Sequence, residues 1–164
     1  MNKDAELRKD VFAWYGSAAY AAQLFEVELV TLMLCHEKKE KPEISVADID
    51  DLDSKLSKKT MGQLIHDLNK RFTLTDRFKN TLIGYRDQRN YLAHEFFYSN
   101  GSKLLSPKGC QELIQELQSK YANLKEADRV MSEMSSTVRK ESGINEQEFM
   151  LYVNQELDKI KKNA

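Results

Sequence analysis

Two long stretches of the sequence keep apolar residues at spacings of three and four, and this pattern limits the fold more than any other feature. The first stretch runs from Lys3 to about His36, and the second runs from Ser106 to about Ser142. Spacings of this kind have the period of an α-helix, and at a rise of about 1.5 Å per residue each helix would be roughly 50 Å long. The sequence therefore predicts two long amphipathic helices.

Shorter helices are predicted between and after these two. Asp48 to Leu56 predicts a short acidic helix, Thr60 and Thr75 are placed as caps of two further helices, and Asn100-Gly101 predicts a left-handed end for the second of these. Glycine and proline, with 6 and 2 copies, are too scarce for a turn-rich β fold. We therefore expect an all-α protein, an antiparallel bundle of four to five helices that include the two long ones.

The domain organisation follows from the chain length and from one break. A chain of 164 residues fits one domain, and Gly143 interrupts the second long pattern. We assign residues 1–142 to the helical bundle and residues 143–164 to a C-terminal helix that packs on the bundle or on a partner. Because the two long helices exceed what a compact bundle needs, we expect a partner chain to cover their outer ends, most simply in a homodimer.

Composition and charge narrow the functional classes. Neither Cys35 nor Cys110 has a Cys or His at metal-ligand spacing, so we expect no metal, and no cofactor-binding motif stands out. The charged start MNKDAELRKD and the lack of about 18 uninterrupted apolar residues predict a cytoplasmic protein without a membrane span. A net charge of −1 gives no global attraction to nucleic acid, so RNA binding would depend on a local patch.

One polar cluster interrupts the apolar pattern of the third predicted main helix. Phe78, Leu82, Tyr85, Leu92 and Phe96 form an apolar stripe, and Arg89 lies on it. A core-facing guanidinium needs a carboxylate partner or a functional cleft, since burying an unpaired charge costs several kcal/mol. Glu26 or Glu28 on the first helix is the candidate structural partner.

A second stripe of the same helix carries functional side chain types. Arg86, Asn90 and His94 follow at intervals of four and stack along one face. Arg89 lies five positions before His94, roughly 140° round an ideal helix. The two side chains meet one ligand only if a groove lies between them, if the helix is distorted, or if a symmetric partner supplies the same residues.

Basic residues are concentrated around this helix. Residues 57–94 contain eight Lys or Arg against three Asp, and we take Lys58, Lys59, Arg71 and Arg86 as candidate RNA or phosphate contacts. Aromatic residues follow in Tyr85, Tyr91, Phe96, Phe97 and Tyr98. Phosphate contacts beside aromatic rings would suit single-stranded RNA, although a solvated basic face over core aromatics explains the pattern equally well.

At RDQRNYLAHEFF the sequence resembles the HEPN superfamily (higher eukaryotes and prokaryotes nucleotide-binding), whose members carry Arg, often followed by Asn, and then His. Here the motif reads Arg89-Asn90-Tyr91-Leu92-Ala93-His94, with four residues between Arg and His. The resemblance covers about residues 57–98. It implies a HEPN-like bundle and a metal-independent endoribonuclease that works as a homodimer, with Arg89, Asn90 and His94 as catalytic residues facing their copies across a shared cleft.

The resemblance also bears on biological role. Superfamily ribonucleases include toxins and phage-defence effectors, which implies an antitoxin or regulatory protein as a further partner. Toxins silenced by a nucleotidyltransferase often carry Tyr two residues after the His, but position 96 is Phe here. Other members have lost catalysis, so the alternative is a non-catalytic interaction or dimerisation module in which Arg89 is structural.

Overall fold

The chain is all-α in a computed structural model that describes residues 3–145, 147 and 151. The helices are α1 (Lys3–Glu40), α2 (Val46–Leu56), α3 (Met61–Arg71), α4 (Asp76–Asn90), α5 (Phe96–Asn100) and α6 (Pro107–Glu141). A π-helical turn, Tyr91–Glu95, joins α4 to α5, and a 3₁₀ helix, Gly101–Leu105, leads into α6. No strand occurs in these ranges, and the predicted helical bundle with two long helices is confirmed.

Side-chain caps begin α3 and α4, as the sequence predicts, and also begin α6. Thr60 accepts a hydrogen bond from the Gln63 backbone N–H, and the Gln63 side chain accepts one from the Thr60 N–H, which completes a capping box. Thr75 caps α4 through the Phe78 N–H. Ser106 caps α6, with Pro107 at its first position.

Helix α1, the α4–α5 segment and α6 alternate in direction along the chain. The two longest helices, α1 and α6, therefore lie parallel to each other. Trp14 contacts Tyr121 near one end of the α1–α6 pair, and Lys39 forms an ion pair with Glu141 at 2.7 Å near the other. Tyr85 on α4 packs on Phe25, whereas the later Phe97 packs on the earlier Phe12, so the α4–α5 segment runs antiparallel to α1.

The core is divided into two clusters along α1. One holds the C-terminal halves of α1 and α6 with α2, α3 and α4, around Phe25, Leu68 and Met131. The other holds their N-terminal halves with the π-helical turn and α5, around Leu117 and Phe96. The boundary between the clusters lies close to the end of α4, where the polar cluster begins.

Helix α1 is apolar as well as long. By length and composition alone it could cross a membrane, but 50% of its most apolar 18-residue stretch is buried inside the bundle. The core helix of a bundle passes the same test. Here α6 packs along α1 and covers much of its apolar surface.

Two predicted features need a correction or lie outside the described residues. The left-handed end at Asn100-Gly101 is wrong: Gly101 has φ −54, and the chain continues into the 3₁₀ helix. Gly143, with φ 73, is the one described residue with positive φ, and it follows Ser142, the C-cap of α6. Most of the predicted C-terminal helix, residues 143–164, lies outside the described residues.

Candidate functional site

An open groove of about 590 Å³ brings together four of the predicted site residues. Arg86, Arg89, Asn90 and His94 line one side of it, and Thr60, Met61 and Gly62 at the start of α3 line the other. His94 is exposed, whereas the two arginines and Asn90 are partly buried. The groove therefore offers guanidinium, amide and imidazole groups to one solvent-accessible space.

The π-helical turn explains how residues five positions apart reach the same groove. The Phe96 N–H bonds to the Tyr91 carbonyl, five residues back instead of four. This widened turn accommodates an extra residue and reduces the angle between Arg89 and His94 below the value for an ideal α-helix. The helix distortion considered as one route to a shared site is thus present between the two residues.

Neighbouring side chains hold this turn in place. The Tyr15 hydroxyl on α1 donates to the Leu92 carbonyl at 3.1 Å. The buried Asn100 amide donates to the Tyr91 hydroxyl at 2.7 Å and to the Phe96 carbonyl at 2.9 Å. Phe96 itself is fully buried. The turn is therefore fixed on both sides by packing and hydrogen bonds, and neither Tyr15 nor Asn100 carried a sequence signal for this role.

Arg89 has the carboxylate partner that its position on the apolar stripe requires. Its Nε lies 2.7 Å from Glu26 Oε1 on α1, with 32% of the Arg89 side chain and 26% of the Glu26 side chain exposed. Its Nη1 lies 3.4 Å from Asn90 Oδ1. Arg89 is thus paired, but it is not sealed from solvent.

The groove is not strongly electropositive. Arg86 donates from Nε and Nη2 to Asp87 Oδ1 at 2.9 and 2.7 Å, and Glu95 also lines the groove. Each of the two guanidinium groups therefore has a carboxylate beside it. Selection of a phosphate would rest on donor geometry more than on net charge.

The other candidate RNA contacts are distributed around α3. Lys58 is exposed in the connection that precedes Thr60, and Lys59 forms an ion pair with Asp67, whose pKa it lowers. Arg71 is at the far end of α3, roughly 15 Å from its start, and it lies near Glu37. None of the three lines the groove. Lys58 and Lys59 precede its wall residue Thr60 in the chain, and Lys59 lines a separate cavity with Glu26.

Most of the candidate stacking aromatics serve the core. Phe96 is buried, Tyr85 packs on Phe25 and Tyr91 packs on Phe96. Of the five, Tyr98 is almost fully exposed, at 94%. The interpretation of this aromatic run as an extended base-stacking surface is therefore wrong for its inner members.

The remaining histidines and both cysteines lie apart from the groove. His36 packs its ring on Phe72, and His66 is exposed on α3. Cys35 and Cys110 are free and buried, and burial raises the pKa of the Cys35 thiol. Within the described ranges, no three His, Cys, Asp or Glu side chains are grouped as metal ligands.

Comparison with known proteins adds no family assignment. No protein-family model matches the sequence, and no significant match was found among curated proteins or solved structures.

Proposed function

We propose that this chain is a metal-independent endoribonuclease of the HEPN type, with Arg89, Asn90 and His94 as its catalytic residues. The observation that carries the proposal is the open groove in which these residues lie together with Arg86. π-helical turns occur frequently at functional sites, and here one lies between the arginine and the histidine. Its position supports a site that needs both side chains.

The proposed reaction is an internal transesterification. The RNA 2′-oxygen attacks the adjacent phosphorus, the P–O2′ bond forms and the P–O5′ bond breaks. One proton leaves the 2′-hydroxyl and one is delivered to the departing 5′-oxygen, so the products are a 2′,3′-cyclic phosphate and a 5′-hydroxyl. An imidazole exchanges protons near neutral pH, which suits His94 to one of these transfers.

The other groove residues fit the remaining requirements. The Arg89 guanidinium can stabilise the charge that develops on the phosphorane by a bidentate contact. Asn90, whose Oδ1 lies beside Arg89 Nη1, would orient the phosphate or His94. Arg86 would bind a phosphate by exchanging its Asp87 partner for it. Lys58 and Lys59, which precede the groove residue Thr60 in the chain, would contact the RNA as it leaves the groove.

A second copy of the chain is part of the proposal. One groove holds one histidine, whereas the reaction needs a proton acceptor and a proton donor. A two-fold partner would supply the second His94. The outward face of α1 offers an apolar surface for such a partner, since Phe12, Tyr20 and Val27 are 55%, 61% and 59% exposed along one helical stripe.

The proposed activity implies a cellular setting. A chain that cuts cellular or phage RNA would work in the cytoplasm as a toxin or phage-defence effector. Unregulated cleavage would damage the host, so an antitoxin or regulatory protein would be a second partner.

The Arg89–Glu26 pair favours a second candidate function. A paired arginine at the edge of the core satisfies the electrostatic cost of its position without any ligand. The chain would then be a non-catalytic interaction or dimerisation module. The two candidates differ in whether the groove residues contribute to anything besides stability.

RNA cleavage in the presence of EDTA tests the first candidate. A structured RNA is incubated with the wild-type chain and with His94→Ala, and the product ends are analysed by mass spectrometry. His66→Ala is the matched control, because His66 is also exposed but lies on α3 outside the groove. We expect cutting to 2′,3′-cyclic phosphate ends by the wild type and by His66→Ala, and none by His94→Ala.

The same experiment identifies failure of the proposal. Absence of cutting by the wild-type dimer, or equal cutting by all three chains, would leave the interaction module. Circular dichroism and sedimentation velocity on each chain verify that fold and oligomeric state are unchanged.

A further inference from the structure

An apolar cleft opens between the C-terminal ends of α1 and α6. It has a volume of about 450 Å³, and among the described residues it shares no lining side chain with the candidate catalytic groove. Its apolar lining comes from Phe72, Val130, Met134 and Val138. Phe72 and Met134 pack on the core but keep part of their surface uncovered. The bundle therefore leaves apolar surface open at this end.

The apolar cleft has the dimensions of a site for one helix. Its α6 wall consists of residues that recur at helical spacings from Val130 to Glu141, which places them on one face of α6. Over these 11 positions the face is roughly 16 Å long, at about 1.5 Å per residue. The rest of the lining comes from Phe72 and from His36 and Lys39 near the end of α1. Apolar grooves of this kind bind amphipathic helices through residues that are themselves three and four positions apart.

The end of α6 changes the direction of the chain. Gly143 is left-handed, at φ 73, and its N–H donates to the Lys140 carbonyl at 3.2 Å. The Ile144 N–H donates to the Arg139 carbonyl, also at 3.2 Å. These two bonds form a Schellman motif, which ends a helix and satisfies its last carbonyls. After such an end the chain leaves the helix axis, so the residues that follow can return along α6.

The sequence after α6 carries the pattern that the apolar cleft requires. Four apolar residues recur at spacings of four, four and three, and they are Phe149, Val153, Leu157 and Ile160. They span 11 positions, as does the α6 face of the cleft. Leu151 lies two positions from both Phe149 and Val153, about 200° round an ideal helix, and it is 59% exposed. Its exposure fits an outward face opposite the apolar stripe.

Charge favours one direction of binding. The segment has an acidic start, at residues 146–148, and a basic end, at residues 159–162. Running antiparallel to α6, it would put its acidic start beside Arg139 and Lys140 in the last turn of α6. Its basic end would then lie near Glu133, on the rim of the cleft. Opposite charges meet at both ends in this direction, and like charges would meet in the reverse one.

We propose that residues 146–160 of this chain bind in the apolar cleft as an amphipathic helix antiparallel to α6. In such a hairpin Val153 lies near Met134. Leu157 lies near Val130. Because a short connection joins the segment to α6, its effective concentration at the cleft is high, which favours it over a separate protein. This proposal does not depend on the ribonuclease function.

Methyl NMR of the full chain tests the proposal, with the Met134 methyl group as the reporter in the cleft. We expect nuclear Overhauser contacts between Met134 and Val153 within one molecule. Val153→Asp should abolish them, shift the Met134 signal and lower the melting temperature by several degrees, because a carboxylate is disfavoured on an apolar surface. Leu151→Asp is the matched control, since Leu151 is already exposed, and it should change neither the signal nor the melting temperature.

A charge-pair rescue keeps the proposal testable if Val153→Asp does not fold. Val130→Lys and Leu157→Glu should each raise the amide hydrogen exchange of residues 146–160 several-fold. The double variant should recover most of the protection, because the two new charges attract each other only if the positions are neighbours.

Two results would overturn the proposal. Contacts between Met134 and Val153 that appear only between chains carrying different isotope labels would show that the cleft binds the segment of a second copy. A Met134 signal that is the same in the wild type, Val153→Asp and Leu151→Asp, with no rescue by the double variant, would leave the cleft open for another protein.

Discussion

Glu26 and Glu28 are two positions apart on α1, and they meet opposite environments. Glu26 keeps 26% of its side chain exposed and pairs with Arg89. Glu28 faces α6, where its Oε2 is buried without a hydrogen-bond partner in the described part of the chain. Burial raises the pKa of Glu28, more than the neighbouring Ser135 lowers it.

The difference arises because two residues turn an α-helix by about 200°. One glutamate therefore points away from the core interface and the other points into it. The carboxylate on one face pairs with a cation, whereas the carboxylate on the other is partly buried and its desolvation outweighs the favourable neighbours. We expect substitutions of the groove residues to change RNA cleavage, and substitutions on the α6 face of α1 to change the free energy of unfolding.

The largest effect is expected at Arg89. Arg89→Ala should lower the cleavage rate by about 10²–10³-fold, since it removes a donor to the developing charge. Arg89→Lys should recover little of this rate, because an ammonium cannot supply the planar fork. Single-turnover cleavage measures both. Recovery of most of the rate by lysine would show that charge alone matters.

The next largest effect is expected from a cavity created in the core between α1 and α6. Met131 on α6 is almost fully buried in the same core cluster as Leu29 and Leu32. Met131→Ala should reduce the free energy of unfolding by about 2–5 kcal/mol, measured by urea denaturation, with cleavage per folded molecule unchanged. A specific loss of cleavage in the folded variant would contradict the separation of the two faces.

A smaller effect of opposite sign is expected for Glu28→Gln. Because the pKa of Glu28 is raised in the folded state, ionisation opposes folding, and stability should fall as the pH rises from the ordinary carboxyl range through the raised pKa. Glu28→Gln removes this slope and should stabilise the protein near pH 7 by about 1 kcal/mol. Denaturation curves at pH 4.5 and pH 7 test it. An unchanged pH dependence would mean that burial of Glu28 does not reduce the stability of the fold.

The smallest effect is expected for the surface pair beside the groove. Lys59 lowers the pKa of Asp67, so the pair stabilises the fold above the unfolded pKa of Asp67 and loses that contribution as the pH falls through the folded one. Lys59 is more than one-third exposed, so Lys59→Ala should cost less than about 1 kcal/mol at pH 7. Thermal melts at pH 7 and below pH 3 compare the two chains, and a large loss at both pH values would point to packing instead.

The sequence predicted the helices better than their relative placement. Thr60, Thr75 and Ser106 begin helices because each side chain accepts a local N–H, and such signals are contained within a few residues. Gly101 carried a similar local signal, but packing of the segment around the buried Asn100 replaced the expected turn with a 3₁₀ helix.

The candidate site shows the same limit. One wall of the groove was predicted, because its residues follow one another along a single helical segment. These residues, identified from their spacing, are Arg86, Arg89, Asn90 and His94. The sequence offered Glu26 and Glu28 equally as partners of Arg89, because choosing between them requires the rotation of α1 against α4. The α3 wall of the groove and the supporting Tyr15 depend on long-range contacts that no local pattern encodes.

The π-helical turn at Tyr91–Glu95 also affects how related sequences should be read. A turn closed by a five-residue hydrogen bond holds one residue more than an α-helical turn between the same two ends. An insertion or deletion at this point can therefore be absorbed locally, while the flanking side chains keep their places. Counting intervening residues would then misalign chains whose arginine and histidine coincide in space, and superposition of the flanking helices is the safer guide to equivalence.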